Sequence, residues 1–130
     1  MLEVSTRVDY GVQLLRQLGR AGQHGPMPLA AVARQLHLPY RYLAQVASRL
    51  RAAGLVESFE GARGGYRLRA PLSRISLGTV IAALEPKRRL VRCLRDGATC
   101  NCTQRGSVQG WWRQLDRRFN AQLHAITLEP

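Results

Sequence analysis

The sequence predicts a mainly α-helical protein with one small β-hairpin, in the arrangement of a winged helix–turn–helix followed by a long C-terminal helix. Two short helical patterns meet at a tight break at 37–39. The apolar residues then alternate along the chain around a Gly-rich turn at 61–65. Over 103–125, apolar residues recur every three or four positions. Together these patterns are typical of a winged helix with an added helix.

A first helix is predicted from about Thr6 to Ala21. Thr6 followed by Asp9 resembles a capping box, and Gly22 ends the helix. The helix has an apolar stripe, formed by Val8, Val12, Leu15 and Leu18, and an opposite polar face, formed by Asp9, Gln13, Arg16 and Arg20.

Two shorter patterns predict the helix–turn–helix. The first runs from Pro28 to about Leu36, and the second runs from Pro39 to Ala53, with Gly54 at the C′ position. Each has one buried face, formed by Leu29, Val32, Ala33 and Leu36 in the first helix and by Leu43, Val46, Ala47 and Leu50 in the second. Two short helices joined by a tight break are typical of this motif.

The period then changes from helical to alternating. Leu55–Glu60 reads as a strand, GARGG supplies turn residues, and a second strand starts at Tyr66. This pattern predicts a β-hairpin, the wing, with its tip near Gly61–Gly65. After the wing, Ser76 is placed to cap a short helix that Pro86 ends.

The last part of the chain divides into two pieces. Residues 86–102, here named the cysteine segment, lack convincing periodicity and hold five basic residues and every cysteine of the chain. From about Thr103 to Ala125 an amphipathic helix about 34 Å long is predicted. Its apolar stripe contains Val108, Trp111, Leu115, Phe119, Leu123 and Ile126. A winged domain alone could not cover such a helix, so we interpret it as a dimerisation helix.

The predicted organisation is therefore a winged helix–turn–helix DNA-binding domain over 1–85, a sensor loop over 86–102, and a dimerisation helix and tail over 103–130.

The charge of the chain supports the assignment of a DNA-binding domain. The formal net charge is +12. Apart from the histidines, every basic residue is an arginine except Lys87. Such a charge on a small domain favours a polyanion as partner, with nucleic acid first. A genomic bias toward arginine would explain the Arg/Lys ratio but not the net charge.

Other classes of protein lack support in the sequence. No apolar run approaches the ~18 residues needed to cross a bilayer, so no membrane is expected. The N-terminus lacks the pattern of a secretory signal, which predicts a cytoplasmic protein. The chain also lacks a Gly-rich nucleotide loop or a Ser/His/Asp arrangement, so an enzyme is not expected.

Six side chains are candidates for DNA contact. Four lie at outward positions of the second helix of the motif and two lie in the hairpin: Tyr40, Arg41, Gln45 and Arg49, then Arg63 and Arg67. Arginine can bond guanine O6 and N7 in the major groove, and glutamine can bond adenine N6 and N7. The hairpin arginines would reach a phosphate or the minor groove. The alternative is that all six are ordinary solvated side chains.

The three cysteines form a cluster with the spacing C-x6-C-x-C: Cys93, Cys100 and Cys102. Thiolates favour iron–sulfur clusters, zinc and Cu(I), and three thiolates are one ligand short of the usual four. Cys100 and Cys102 would share a face of an extended segment, which allows joint ligation and also a strained disulfide. The residues alone leave these alternatives open.

A family resemblance covers nearly the whole chain. The stretch SRLRAAGLVESFEGARGGYRL, preceded by YLAQ, resembles the helix–wing signature of the small Rrf-type bacterial regulators. VDYGVQLL resembles the first helix of that family's nitric-oxide-sensing repressors (NsrR), ALEPKRRLVRCL resembles their lead into the first cysteine, and AITL is similar to the family's usual close. Some relatives have a glutamate that reads a base at the position of Ala44, so this chain differs from them there.

The resemblance implies a homodimeric winged-helix transcription factor that binds operator DNA, which we expect to be palindromic. It implies an iron–sulfur cluster, 4Fe–4S or 2Fe–2S, held by the three cysteines and a fourth group. In some members that group is an acidic residue on the partner's first helix, and Asp9 occupies the matching position. Read from its position alone, Asp9 is a solvated acid near a helix N-terminus.

The function expected from these features is cluster-dependent regulation of transcription, as a repressor that responds to nitric oxide or redox state. Two alternatives remain at this point. One keeps DNA binding but uses the cysteines as a thiol switch or a zinc site. The other is a metal-knuckle RNA-binding or scaffold protein.

Overall fold

The computed structural model describes residues 3–22, 24–87 and 106–129. The helices are α1 (Thr6–Ala21), α2 (Leu29–Leu36), α3 (Tyr40–Ala52), α4 (Leu77–Leu84) and α5 (Gly106–Ala125). Strands β1 (Val56–Phe59) and β2 (Gly65–Leu68) form an antiparallel hairpin between α3 and α4. A short 3-10 turn at Leu72–Arg74 follows β2. The predicted fold class, helical with one hairpin, is confirmed.

The start of α1 differs in one detail from the sequence prediction. Ser5, not Thr6, is the N-cap, and its hydroxyl accepts a hydrogen bond from the Val8 amide at 3.3 Å. The Asp9 side chain does not cap the helix but accepts a bond from the Gln13 side chain. A serine one residue earlier satisfies the free amide equally well, and the sequence pattern alone does not separate the two.

The helix–turn–helix is closed by an unusual backbone conformation. His37 adopts a left-handed conformation with φ of +55°, and the Leu38 amide donates to the Ala33 carbonyl at 2.9 Å. These features end α2, and Pro39 then precedes the first residue of α3. Non-glycine residues rarely take a positive φ, and the left-handed backbone at His37 turns the chain from α2 toward α3.

The wing is attached to the domain by a third extended segment. The Met27 amide donates to the Tyr66 carbonyl at 2.9 Å, and the Tyr66 amide donates to the Met27 carbonyl at 2.8 Å. Gly65 makes this approach possible. Its φ is +144°, and a β-carbon there would lie 2.3 Å from backbone atoms of Met27. The end of the hairpin next to its turn is therefore fixed against the segment that leads into α2.

Gly65→Ala should destabilise the protein strongly because the new methyl group overlaps the Met27 backbone, which cannot rotate away. We expect the free energy of unfolding in urea to fall by about 3 kcal/mol. Gly61→Ala is the matched control, since Gly61 also has a positive φ, +100°, but has open space around its missing β-carbon. It should lose only about 1 kcal/mol, from backbone strain. Equal losses in the two variants would contradict this account of the wing.

The last residues of the chain complete the winged domain. The Leu77 amide donates to the Ile126 carbonyl at 2.7 Å, and the Leu128 amide donates to the Ile75 carbonyl at 2.9 Å. Leu128 is buried in the same core as α1, α3 and α4. The tail of the predicted 103–130 unit thus packs onto the predicted 1–85 unit, a return that sequence periodicity does not indicate.

One apolar core joins the helices. Its largest fully buried side chains come from α1, α2, α3, β1 and α4 and from Ile75, just before α4: Leu14, Leu15, Leu43, Leu50, Ile75, Leu84, Val8, Val32, Val46, Val56 and Val80. Ser76 caps α4 as predicted, accepting from the Thr79 amide at 3.1 Å. Within the described ranges, no helix combines the length and apolarity needed to span a membrane.

Candidate DNA interface and metal ligands

The outward face of α3 carries three side chains without a protein partner. Leu43, Val46, Ala47 and Leu50 bury the opposite face and fix the rotation of the helix. Tyr40 is 54% exposed at the first position, and Arg41 and Gln45 are exposed one turn apart. None of the three forms a side-chain hydrogen bond or ion pair with another described residue. Their polar atoms are therefore available to a ligand.

Arg49 and Arg67 differ from the other predicted DNA contacts because their guanidinium groups are engaged within the chain. Arg49 donates to the Leu84 carbonyl at the end of α4, at 3.3 Å. Arg67 forms two bonds to one Glu57 oxygen, at 2.7 and 3.2 Å, and its guanidinium lies 4.9 Å from the Phe59 ring centre. Arg67 thus stabilises the wing across its two strands.

Of the two wing arginines that the sequence predicts to contact DNA, Arg63 is the one without a partner among the described residues. It lies in the turn between β1 and β2, two residues after Gly61, and is exposed. Its guanidinium has no hydrogen bond or ion pair to another described residue. The turn therefore presents one uncommitted arginine beyond the end of the hairpin.

The structure adds a feature that the sequence reasoning missed. A shallow depression of about 420 Å³ lies at the helix–turn–helix corner and is lined by Ala30, Ala33, Arg34, His37, Leu38 and Tyr40. Its wall is largely apolar, with the exposed Arg34 at its rim. A sugar–phosphate backbone is complementary to this surface, because its phosphates are anionic and its sugars can lie against an apolar wall. The outward Arg34 on α2, next to the turn, was the signal available in the sequence.

The surface formed by α2, α3 and the wing is strongly cationic. Helix α3 contains no acidic residue but contains three arginines, and α2 contains Arg34 and no acid. The acids of the hairpin are Glu57, which is paired with Arg67, and Glu60. A surface of this composition attracts phosphates and other polyanions and repels basic proteins.

Asp9 is exposed in the first turn of α1. Its Oδ2 accepts a hydrogen bond from the Gln13 amide at 2.9 Å, and its Oδ1 accepts none from another described residue. Because Ser5 caps the helix, the Asp9 carboxylate is not needed as a cap. Its negative charge is nevertheless favourable near the helix N-terminus. One oxygen of Asp9 is free to bind a ligand outside its own chain.

The three predicted thiolate ligands, Cys93, Cys100 and Cys102, lie outside the described residues. Among residues 3–22, 24–87 and 106–129, no three histidines, aspartates or glutamates form a group able to hold a metal ion. The candidate donor set therefore remains the three thiolates with the Asp9 carboxylate. In its chemistry, this set fits an iron–sulfur cluster, which takes its ligands mainly from thiolates.

The apolar stripe of helix α5 has different surroundings at the two ends of the helix. Near its end, it packs directly on α4: a β-carbon on Gly78 would lie 2.4 Å from the His124 ring, and Leu123 packs against the core. Nearer its start, Val108 and Leu115 are 45% and 46% exposed and Trp111 is 70% exposed. A groove of about 270 Å³ lies in this exposed part, lined by Trp111, Gln114, Leu115 and Arg118. The predicted apolar stripe is thus only partly covered within one chain.

Comparison with known sequences identifies the protein's relatives. The model of the Rrf2 family, described as an iron-dependent transcriptional regulator, matches residues 4–130. The HTH-type transcriptional regulator IscR of Vibrio atlanticus is 35% identical over 127 residues, which cover 98% of this chain and 73% of that protein. A putative HTH-type transcriptional regulator of Neisseria meningitidis is 32% identical over 130 residues, with 98% and 86% covered.

Solved structures agree with the sequence comparison. CymR, the global cysteine regulator of B. subtilis, superposes with a TM-score of 0.79 at 31% identity, covering 99% of this chain and 95% of CymR. IscR of T. potens superposes with a TM-score of 0.72 at 31% identity, covering 98% and 83%. The family match over almost the entire sequence and relatives above 30% identity show that this chain belongs to the Rrf2 family of transcriptional regulators.

Proposed function

We propose that this regulator is a homodimeric repressor whose binding to palindromic operator DNA is controlled by an iron–sulfur cluster that responds to nitric oxide or redox state. The observation that carries the DNA-binding part is the uncommitted face of α3. Tyr40, Arg41 and Gln45 are exposed on a cationic surface and have no side-chain partner among residues 3–22, 24–87 and 106–129.

The reading of bases would divide between Arg41 and Gln45. The two side chains are one helical turn apart, so they face neighbouring base pairs when the start of α3 enters the major groove. Arg41 would bond O6 and N7 of a guanine, and Gln45 would bond N6 and N7 of an adenine. Arg63 would reach the flanking phosphate or minor groove from the wing turn. Arg67 would act indirectly by holding the wing rigid.

The second copy of the chain would cover the apolar face of α5. Val108, Trp111 and Leu115 are large apolar side chains exposed on successive turns of α5, and such a cluster on a small regulator favours an interface. A two-fold dimer presents its two α3 helices to two half-sites, which is why a palindromic operator fits this architecture.

The proposed cluster would be held by Cys93, Cys100, Cys102 and Asp9 of the partner subunit. Support comes from the donor set, from the free Asp9 oxygen and from the description of the family as iron-dependent. When bound, the cluster supplies a redox-active centre that reacts with nitric oxide. The cysteine segment joins α4 to α5, so its rearrangement would shift the dimer helices and the spacing of the two α3 helices.

A thiol switch is the second candidate. CymR of Staphylococcus aureus, which superposes with a TM-score of 0.73 at 29% identity, was crystallised in an oxidised form. With Cys100 and Cys102 only two residues apart, this chain carries a thiol pair that oxidation could join. Under this alternative the same DNA interface would respond to oxidants without a bound metal.

A binding experiment tests the DNA-binding part. An operator is first selected from a random duplex pool by the wild-type protein. Arg41→Ala should lower operator affinity about tenfold or more because a bidentate guanine contact is lost, and 7-deazaguanine at the contacted position should lower wild-type affinity similarly. The control Arg51→Ala removes an exposed arginine from the end of α3 and should have a much smaller effect. Equal losses for both variants, on operator and random DNA alike, would show that Arg41 reads no base.

A further inference from the structure

Two arginines from different helices converge on one carbonyl at the end of α4. Helix α4 ends at Leu84, and the last carbonyls of a helix lack partners within it. Arg7 of α1 donates to the Leu84 carbonyl at 3.4 Å, and Arg49 of α3 donates to the same oxygen at 3.3 Å. The partial negative charge of a helix C-terminus favours such cations.

The side chain of Leu84 joins the same three helices. It is completely buried in the core. A β-carbon on Gly11 would lie 2.5 Å from its Cδ1, so Leu84 packs directly on the bare face of α1. Leu84 therefore contacts α1 with its side chain and both α1 and α3 through its carbonyl. We name Arg7, Arg49 and Leu84 the helix junction.

The junction lies away from the side chains assigned to base reading. Arg49 is eight positions after Arg41, about 12 Å along the helix axis. Its guanidinium is directed to α4, whereas Arg41 and Gln45 form no hydrogen bond or ion pair within the described part of the chain. A residue held in this way controls how α3 lies on the domain rather than which base is read.

We propose that Arg7 and Arg49 are positioning residues that set the orientation of α3 against α4 through the Leu84 carbonyl, and so determine the discrimination between operator and random DNA. The chain continues from Leu84 directly into the cysteine segment. A displacement that begins after α4 would therefore reach α3 through the helix junction. This inference rests on the proposed function of α3 in DNA binding.

The test uses Arg7→Gln, Arg49→Gln, the double variant, and Arg51→Gln as a control with the same loss of charge. Dissociation constants are measured for the selected operator and for random duplex DNA across a salt series. Either arginine can satisfy the carbonyl, so each single variant should lose about threefold in the operator-to-random ratio, and the double variant about thirtyfold. The salt dependence of Arg49→Gln should equal that of Arg51→Gln, since no phosphate contact is lost.

Amide hydrogen exchange provides a readout independent of DNA. The double variant should exchange faster in α3 than the wild type while α2 is unchanged, and Arg51→Gln should leave both helices unchanged. An unchanged operator-to-random ratio in the double variant, or a salt slope lower for Arg49→Gln than for Arg51→Gln, would overturn the positioning role. Absence of any sequence preference in the wild-type protein would instead overturn the proposed function, and with it the inference.

Discussion

Trp111→Glu is expected to convert the protein to a monomer and to lower its affinity for a palindromic operator by at least about 100-fold. Trp111 is 70% exposed beside the groove on α5, which a second copy would cover. A carboxylate buried in that interface would lack a partner and would be costly to desolvate. A monomer also binds one half-site only, so the gain from linking two binding modules is lost.

Sedimentation velocity and operator titration together check this expectation. Arg117→Gln is the matched control because it changes the charge by the same amount at an exposed position of the same helix, outside the groove. It should remain dimeric and bind the operator almost as the wild type does. A Trp111→Glu protein that still sediments as a dimer would place the subunit interface elsewhere.

The elements of the winged domain were predictable because their signals are local. The bounds predicted for α1 agree with the structure, and those of α2 and α3 agree within about one residue at each end. Ser76 caps α4 as predicted, since a serine before a helical apolar pattern satisfies free amides within the same turn. The other elements were predicted from their hydrophobic periodicity and from the glycines and prolines at their ends.

The contacts that sequence reasoning missed are long-range. Nothing in the local pattern indicates that Met27 pairs with Tyr66, or that Leu128 returns to the core. Gly65 was read only as a turn residue, although its main role is to admit the Met27 backbone. Such pairings depend on how elements pack in three dimensions, which periodicity does not encode.

The same distinction separates the candidate site residues. An outward position on a helix can be predicted from spacing, as it was for Tyr40, Arg41 and Gln45. Whether an outward arginine is free depends on what a neighbouring element brings close to it. Arg49 meets the end of α4, and Arg67 meets Glu57 and Phe59 across the hairpin. Spacing alone therefore overestimates the number of arginines available to DNA.

Cys93→Ser is expected to remove nearly all bound iron from protein prepared without oxygen, and to abolish the response of operator binding to nitric oxide. A serine hydroxyl is a poor substitute for a thiolate, and two remaining thiolates with one carboxylate are too few to hold a cluster firmly. Iron and sulfide analysis with the visible absorbance spectrum measures the first effect. Operator titration before and after treatment with nitric oxide measures the second.

Asp9→Asn should have a different and smaller effect. The amide keeps the shape of the side chain and can still accept the bond from Gln13, but it lacks the charge of a ligand. We expect the variant to assemble its cluster and to lose it several-fold faster on dilution, because one of four ligands is weakened. Glu3→Gln is the control, since it removes an exposed acid that precedes α1.

The metal content decides between the candidate functions of the cysteine segment. Iron and sulfide in equal amounts support the cluster, and their number per chain separates 2Fe–2S from 4Fe–4S. Zinc without sulfide would contradict the cluster and support a structural metal site. Wild-type protein without metal, in which an oxidant joins two thiols and changes operator affinity, would support the thiol switch instead. In each case we expect the same side chains of α3 to contact DNA, and the candidate functions differ only in the signal that displaces this helix.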